Sequence, residues 1–149
     1  MKTVKAIVGE RETVTVGPHA SVLDAARLMT TRRIGAVPVV EGDQLAGVFT
    51  ERDIMTRVVA AGLDAASTPV ADVMSTRLIT AAADESYEAC LTRMQDSHVR
   101  HIVVLDRGRL AGIVSLRDLM AADLVEKDEA IMHLNAYVHY VPADLHAKT

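Results

Sequence analysis

The amino-acid sequence predicts a mixed α/β (α+β) fold, in which two β-α-β-β-α units related by pseudo-two-fold symmetry are followed by a C-terminal helical tail. A short signature occurs twice, as Thr-Glu-Arg-Asp at residues 50–53 and Ser-Leu-Arg-Asp at residues 115–118, 65 residues apart. The same shift, without a gap, aligns the Leu-Ala-Gly segments at residues 45–47 and 110–112. Repeats of this length usually form two halves of one body. We therefore expect function where the halves meet.

The elements of the first repeat follow from local patterns. Residues 13–16 alternate Thr and Val as a short strand, and Ser21 is a natural N-cap for the helix that follows. Residues 34–40 form a continuous apolar strand, and residues 45–49 return as its partner after a Glu-Gly-Asp turn. Thr50 then caps a second helix.

The second repeat predicts the same order of elements. Its segments are a strand near residues 78–81, a helix over 86–94, strands over 99–105 and 110–114, and a helix from Ser115. A short helix over residues 70–74 opens this repeat, with Thr68 as its N-cap and Pro69 as its first helical residue.

The chain divides into four segments on this pattern. These are repeat 1 (residues 1–62), a linker (63–67), repeat 2 (68–124) and a helical tail (125–149). The spacing of apolar residues after Asp118 is compatible with a long helical tail that Pro142 should end; these residues are Leu119, Leu124, Ile131, Leu134 and Val138.

Composition argues against several classes of function. The chain has 149 residues, a formal net charge of -4 and 3% aromatic residues, which disfavours nucleic-acid binding. Cys90 is the only cysteine, in an apolar helical context that predicts a buried side chain. His133, His139 and His146 do not share a helical face, so we expect no metal site. No apolar run approaches a membrane span, and the N-terminus carries charge early, so we expect a cytoplasmic protein.

The repeated motifs together resemble a tandem pair of CBS (cystathionine β-synthase type) domains. The first copy contains Ser-Val-x-x-Ala-x-x-x-Met, Ile-Gly-Ala-x-Pro-Val-Val and Thr-Glu-Arg-Asp. The second contains Arg-His-Ile-Val-Val, Gly-Arg-Leu-x-Gly-Ile-Val-Ser and Arg-Asp-Leu. The resemblance covers about residues 3–120. It implies a disc with two clefts between the repeats that bind adenosyl ligands such as AMP, ADP, ATP, NAD or S-adenosylmethionine, in a stand-alone regulatory module of bacterial type.

The residues support that implication on chemical grounds. A carboxylate at the first turn of a helix, such as Asp53 or Asp118, can accept two hydrogen bonds from a ribose 2′,3′-diol. The hydroxyl of Thr50 or Ser115 and the helix N-terminus suit a phosphate. The same spacing also forms a capping box, in which the acid serves only its own helix, and the two roles are compatible.

Two candidate clefts follow, one for each aspartate. The second cleft is predicted to contain Ser115, Asp118, Arg100, His101, Arg52, Ile79, Thr80 and Ile102. The first is predicted to contain Thr50, Asp53, Arg117, Val14, Thr15 and Val37.

The placement of Arg52 and Arg117 across the repeats is implied by the resemblance alone; each arginine could instead lie on a solvated helix face, and His101 could be structural. Arg100 and His101 make the second cleft the more basic one. The resemblance implies a proline in the buried strand of each repeat. Pro38 matches it in the first repeat, but Val103 stands at that position in the second, so the sequence does not fix the shape of the second adenine pocket.

The predicted function is that of an adenine-nucleotide sensor, with AMP favoured over NAD, ADP or ATP, that signals to an unknown regulated protein. The alternative is a dimerisation or scaffold module in which one or both clefts are vestigial. An enzyme is not expected, since neither a P-loop nor a Ser-His-Asp order is present. We also predict a homodimer that packs through apolar helix residues. These are Ile54, Met55, Val58, Val59, Ala61 and Gly62 in the first repeat and Leu119, Met120 and Leu124 in the second.

Overall fold

The structure is a computed structural model that describes residues 2–139. Its helices are α1 (Val4–Val8), α2 (Val22–Arg32), α3 (Glu51–Asp53), α4 (Val70–Val73), α5 (Tyr87–Ser97) and α6 (Leu116–His139). Its strands are β1 (Ala36–Glu41), β2 (Gln44–Thr50), β3 (Thr80–Ala82), β4 (His101–Asp106) and β5 (Arg109–Ser115). Helix α3 continues directly into a π-helical segment, Ile54–Val59.

The two repeats contain the same hairpin in the same register. Ala36 lies opposite Thr50 in the antiparallel β1–β2 pair, and His101 lies opposite Ser115 in the β4–β5 pair. Each partner in the second hairpin is therefore 65 residues beyond its counterpart in the first. The predicted mixed fold of two equivalent repeats and a C-terminal helix is confirmed.

The strand predicted over residues 13–16 is largely wrong. Only Val16 pairs, through an isolated parallel bridge to Val39, while its counterpart in the second repeat belongs to the regular strand β3. Residues 11–15 instead pass close to the second repeat, where the Thr13 hydroxyl donates to the carbonyl oxygen of Ala111 at 3.3 Å. That long-range contact competes with sheet pairing in the first repeat.

Serine hydroxyls begin the two long helices that precede the hairpins, as predicted. Ser21 accepts from the amide of Asp24 at 3.1 Å, and Ser86 accepts from the amide of Ala89 at 3.2 Å. The predicted cap of α4 is wrong by one residue, because Pro69 occupies the N-cap position. The Thr68 hydroxyl donates to the carbonyl oxygen of Asp64 instead.

Each short leading helix packs into the core of the other repeat. Val4 and Val8 of α1, a helix that the sequence patterns did not reveal, are buried with the apolar residues of the second repeat. Val70 and Val73 of α4 are buried with those of the first repeat. This exchange brings the chain between α1 and α2 across the junction of the repeats, where it forms one wall of a cleft.

Helix α6 extends well past the second repeat. It has 24 residues, so the predicted helical tail is present as far as His139. Pro142 and His146 lie outside the described residues. Cys90 is buried in the second core, as its context predicted.

Candidate functional site

A cleft of about 1130 Å³ lies between the two repeats. The irregular chain before α2, the start of β1 and the start of α3 contribute from the first repeat. The starts of β4 and α6 and the end of β5 contribute from the second. Such a volume slightly exceeds the roughly 300–1,000 Å³ of typical small-molecule sites in proteins. The junction therefore has room for a nucleotide-sized ligand.

The lining of this cleft is rich in arginine. Arg11 and Arg33 come from the first repeat, and Arg100 and Arg117 come from the second. Three carboxylates share the lining, those of Glu12, Glu51 and Asp118. Arginine side chains from two sides suit an anionic group such as a phosphate, because the guanidinium donates paired hydrogen bonds to planar or tetrahedral oxyanions.

Asp118 combines a structural role with a carboxylate that is accessible from the cleft. One oxygen, Oδ2, accepts from the amide of Ser115 at 2.9 Å, and the Ser115 hydroxyl accepts from the amide of Asp118 at 3.1 Å. The other oxygen, Oδ1, lies 3.5 Å from Arg11, and the side chain is 29% exposed. The capping box is thus formed, yet one oxygen has only a long, half-exposed ion pair that an incoming hydroxyl could replace.

His101 of the second repeat lies close to Gly35 of the first repeat within the cleft. A Cβ atom at Gly35 would lie 3.4 Å from the His101 ring and 3.1 Å from the Glu51 carboxylate, so glycine allows this approach. Burial lowers the pKa of His101 below its ordinary value, and this outweighs the carboxylates of Glu51 and Asp118, which favour the charged ring. The imidazole is therefore neutral at pH 7 and can gain a proton beside an anion.

Asp53, the counterpart of Asp118, is closed off by its own surroundings. Its carboxylate accepts from the amide of Thr50 at 3.0 Å and from the hydroxyl of Ser75 at 3.0 Å, and Arg57 lies 3.7 Å away. Its side chain is 7% exposed. Both oxygens of Asp53 are thus engaged within the protein.

The closure over Asp53 arises from the segment that follows α4. Val48 and Ser75 exchange two backbone hydrogen bonds of 2.9 Å, which fix this segment against β2. A Cβ atom at Gly47 would lie 2.8 Å from the Ser75 carbonyl oxygen, so glycine is needed for the contact. At the equivalent Gly112 the neighbour is instead the Val8 side chain of α1. The two aspartates therefore share a local motif but have different coverings.

The structure brings together part of each predicted cleft. Four residues of the predicted second cleft line the observed cleft: Arg100, His101, Ser115 and Asp118. Val14 and Arg117, which we expected beside Asp53, line this same cleft. Gly35 and Ala36, which occupy the positions of Arg100 and His101 in the first repeat, also line it. The repeated signature spans only four residues and could not reveal this grouping. The grouping depends on the packing of α1 against the second repeat and of α4 against the first.

The other predicted site residues lie elsewhere. Val37 and Ile102 are fully buried in the two cores, and Ile79 packs against the second core. Thr80 is paired in β3, and its carbonyl oxygen accepts from Arg93 at 2.7 Å. Arg52 and Thr15 are exposed, and Thr50 caps α3 beside Asp53. None of these residues is among those that line the cleft between the repeats.

Sequence reasoning missed Arg11, Arg33 and Glu12. Arg11 is held by the C-terminal end of α1, where its Nε donates to the carbonyl oxygen of Val8 at 3.0 Å. Arg33 ends α2 in the left-handed conformation, with φ at 55°, and turns the chain at the cleft. The position of Arg33, between the end of a predicted helix and a predicted buried strand, could have indicated a residue at the cleft. No such signal existed for Arg11, because α1 itself was not recognised.

Two other classes of site can be checked within residues 2–139. No group of three or more His, Cys, Asp or Glu side chains in this part of the chain is arranged to hold a metal ion. No helix in the same part of the chain is both long and apolar enough to cross a bilayer.

Comparison with known proteins identifies the family. The sequence model of the CBS domain matches twice, over residues 4–60 and 70–125. The chain belongs to the CBS domain family. It is 40% identical over 108 residues to the CBS domain-containing protein YhcV of Bacillus subtilis, covering 72% of this chain and 76% of that protein.

Two solved CBS-domain structures share the fold. A CBS-domain protein from Burkholderia ambifaria has a TM-score of 0.79 and 32% identity, covering 83% of this chain and 95% of the other. A CBS domain protein from Pyrobaculum aerophilum, solved in complex with AMP, has a TM-score of 0.70 and 26% identity, covering 78% and 89%. The predicted resemblance to tandem CBS domains is confirmed.

Proposed function

We propose that this CBS pair is a non-catalytic regulatory module that binds an adenine nucleotide, AMP in preference to NAD, ADP or ATP, in the cleft that contains Asp118. The observation that carries the proposal is the difference between the two aspartates. The Asp118 carboxylate faces an open, arginine-lined cleft, whereas Asp53 is covered by Ser75. The AMP complex of the Pyrobaculum aerophilum relative supports the choice of ligand class.

Each part of a nucleoside monophosphate has a counterpart in the cleft. The 2′,3′-hydroxyls of ribose would donate to Asp118, with Oδ1 released from its long contact to Arg11. The 5′-phosphate would lie near Arg100 and His101, which follow each other at the start of β4. The partly exposed apolar residues Val14 and Ile34 offer a surface for adenine.

The same asymmetry supports the scaffold alternative for the first cleft. With its oxygens engaged by Thr50 and Ser75, Asp53 serves its own helix and the contact to the chain after α4. We therefore propose one nucleotide for each chain. The module would pass the bound state on to a regulated protein that remains to be identified.

Burial reduces the set of residues that could form the proposed homodimer interface. Val58 and Leu119 face their own cores and cannot form an interface. Met55 and Met120 remain exposed at equivalent positions of the two repeats, as do Val59 and Leu124. These four apolar side chains are the surface that we propose for a second copy.

Isothermal titration calorimetry with AMP, adenosine and 2′-deoxy-AMP tests the proposal. We expect a stoichiometry of one AMP for each chain, with weaker binding of adenosine for want of a phosphate and of 2′-deoxy-AMP for want of one hydroxyl. Chromatography of the nucleotide after incubation should recover AMP unchanged. Absence of heat with AMP, ADP, ATP and NAD alike would favour the scaffold function, and turnover would make the protein an enzyme.

A further inference from the structure

The second half of α6 carries apolar side chains that the described chain does not cover. The first half is anchored on the second repeat: Leu119 is buried, and the Tyr87 hydroxyl lies 2.9 Å from carboxylate oxygens of both Asp123 and Glu126. Every residue from 127 to 138 is exposed. A helix of about three turns is marginal in water without packing partners. Packing of these side chains against a partner would therefore stabilise the segment.

The spacing of the apolar residues specifies what kind of partner fits. One stripe runs along α6 at alternating intervals of four and three residues: Met120, Leu124, Lys127, Ile131, Leu134 and Val138. All five apolar members are 53–63% exposed. A repeat that averages 3.5 residues is the a and d pattern of a coiled coil, which pairs with another helix. A single polar residue at such a position, here Lys127, favours one register.

The distribution of charge indicates a second copy of the same helix, in antiparallel orientation. Between residues 117 and 129, α6 contains five acidic side chains, whereas residues 130–139 contain no Asp, Glu, Lys or Arg. A parallel pair would place the acidic halves side by side, and like charges at that distance repel. An antiparallel pair places the charged half of each helix along the uncharged half of the other.

We propose that the α6 stripe forms an antiparallel two-helix coiled coil with the α6 stripe of a second copy of this chain. The stripes coincide when Lys127 lies opposite Ile131 of the second copy. Leu124 then meets Leu134, and Met120 meets Val138. Because Met120 and Leu124 also line the cleft between the repeats, the tail of each copy reaches the rim of the other's cleft.

The area of the stripe is sufficient for a specific contact. Each large apolar side chain removes roughly 100 Å² from water when it is buried. Ten such side chains from two copies give about 1000 Å² in total, which is near the lower bound of specific protein interfaces. Met55 and Val59, the counterparts of Met120 and Leu124 in the first repeat, are exposed as well.

Disulfide cross-linking tests both the partner and its orientation in the full-length chain. Leu124→Cys and Leu134→Cys are prepared separately, oxidised alone and then oxidised as a mixture. In the antiparallel pair only the mixture forms a dimer, because identical positions lie about 15 Å apart at a rise of 1.5 Å per residue. The parent protein is the background control, since Cys90 is buried and burial raises the pKa of its thiol.

Cross-linking of each variant with itself would establish a parallel pair and overturn the orientation. Absence of cross-linking in all three samples would overturn the contact. Sedimentation velocity of Leu134→Glu against Met132→Glu gives an independent check, because Met132 is on the same helix and 69% exposed but off the stripe. We expect Leu134→Glu to weaken self-association at least tenfold and Met132→Glu to leave it unchanged. Equal effects, or none, would contradict the stripe.

This inference concerns the assembly and is separable from nucleotide binding. Calorimetry with AMP on the parent protein measures the cleft without altering either stripe, so AMP binding with no cross-link would remove the coiled coil and leave the proposed function in place. Cross-linking without AMP binding would support the coiled coil and contradict the proposed function.

Discussion

Replacing the two equivalent aspartates should separate stability from ligand binding. In Asp53→Ala, the amide of Thr50 loses its cap and the hydroxyl of Ser75 loses its carboxylate acceptor. Loss of a cap costs about 1 kcal/mol, and a partly buried hydroxyl without its charged partner costs about 2 kcal/mol. The expected loss in the free energy of unfolding is therefore about 3 kcal/mol, or roughly 6–12 °C in Tm for a chain of this size. AMP affinity should stay within about twofold.

The matched substitution Asp118→Ala should show the opposite pattern. The amide of Ser115 loses its cap, which costs about 1 kcal/mol of stability. Two charge-assisted hydrogen bonds to the ribose are lost together, which at about 1.5 kcal/mol each reduces affinity about a hundredfold. The assay is calorimetric titration with AMP at 15 °C beside urea unfolding of the parent and both variants. The reasoning is refuted if Asp118→Ala binds AMP normally, or if Asp53→Ala loses affinity without losing stability.

Four further outcomes follow from the same structure. Because burial lowers the pKa of His101 and a phosphate would raise it, AMP should bind more tightly as pH falls from 8 towards 6.5; titrations of His101→Gln should show a flatter profile. Without ligand, lower pH should instead destabilise the protein. Because the pKa of His101 is lower in the folded chain than in the unfolded chain, the free energy of unfolding measured in urea should fall below about pH 6.5. Gly47→Ala should lower the unfolding free energy by about 1–3 kcal/mol, because its Cβ would lie 2.8 Å from the Ser75 carbonyl oxygen. Gly17→Ala, where a Cβ meets nothing within 4 Å, is the control and should show no such loss in thermal melts. Tyr87→Phe removes a hydroxyl that contacts two carboxylates of α6 and should cost about 1–2 kcal/mol in the same melts; an unchanged Tm would mean that this contact does not anchor the helix.

The repeat pattern predicted the parts of the fold that depend on local sequence. The caps at Ser21 and Ser86, the two hairpins and their equivalent register follow from residues that are close in the chain or exactly one repeat apart. Helix α1 was missed because a five-residue helix has too few residues for a periodic signal. Its position in the second core, and that of α4 in the first, depends on contacts between distant segments.

The candidate site could be predicted only in part for the same reason. Asp118 and His101 were identified from the repeated signature and the basic start of β4. The closure of Asp53 could not be predicted, because Ser75 reaches it through a bridge to Val48 that no local pattern encodes. Arg11 likewise depends on α1, which places its guanidinium beside Asp118 from more than a hundred residues away in sequence.

The most direct test of a single competent nucleotide cleft is a crystal structure of the full chain grown with saturating AMP. We predict one AMP for each chain, with its ribose hydroxyls about 2.6–3.0 Å from the Asp118 carboxylate and its phosphate facing Arg100 and His101. The Asp53 carboxylate should keep its contact to Ser75. AMP bound at Asp53, or a cleft without nucleotide at saturation, would contradict the account.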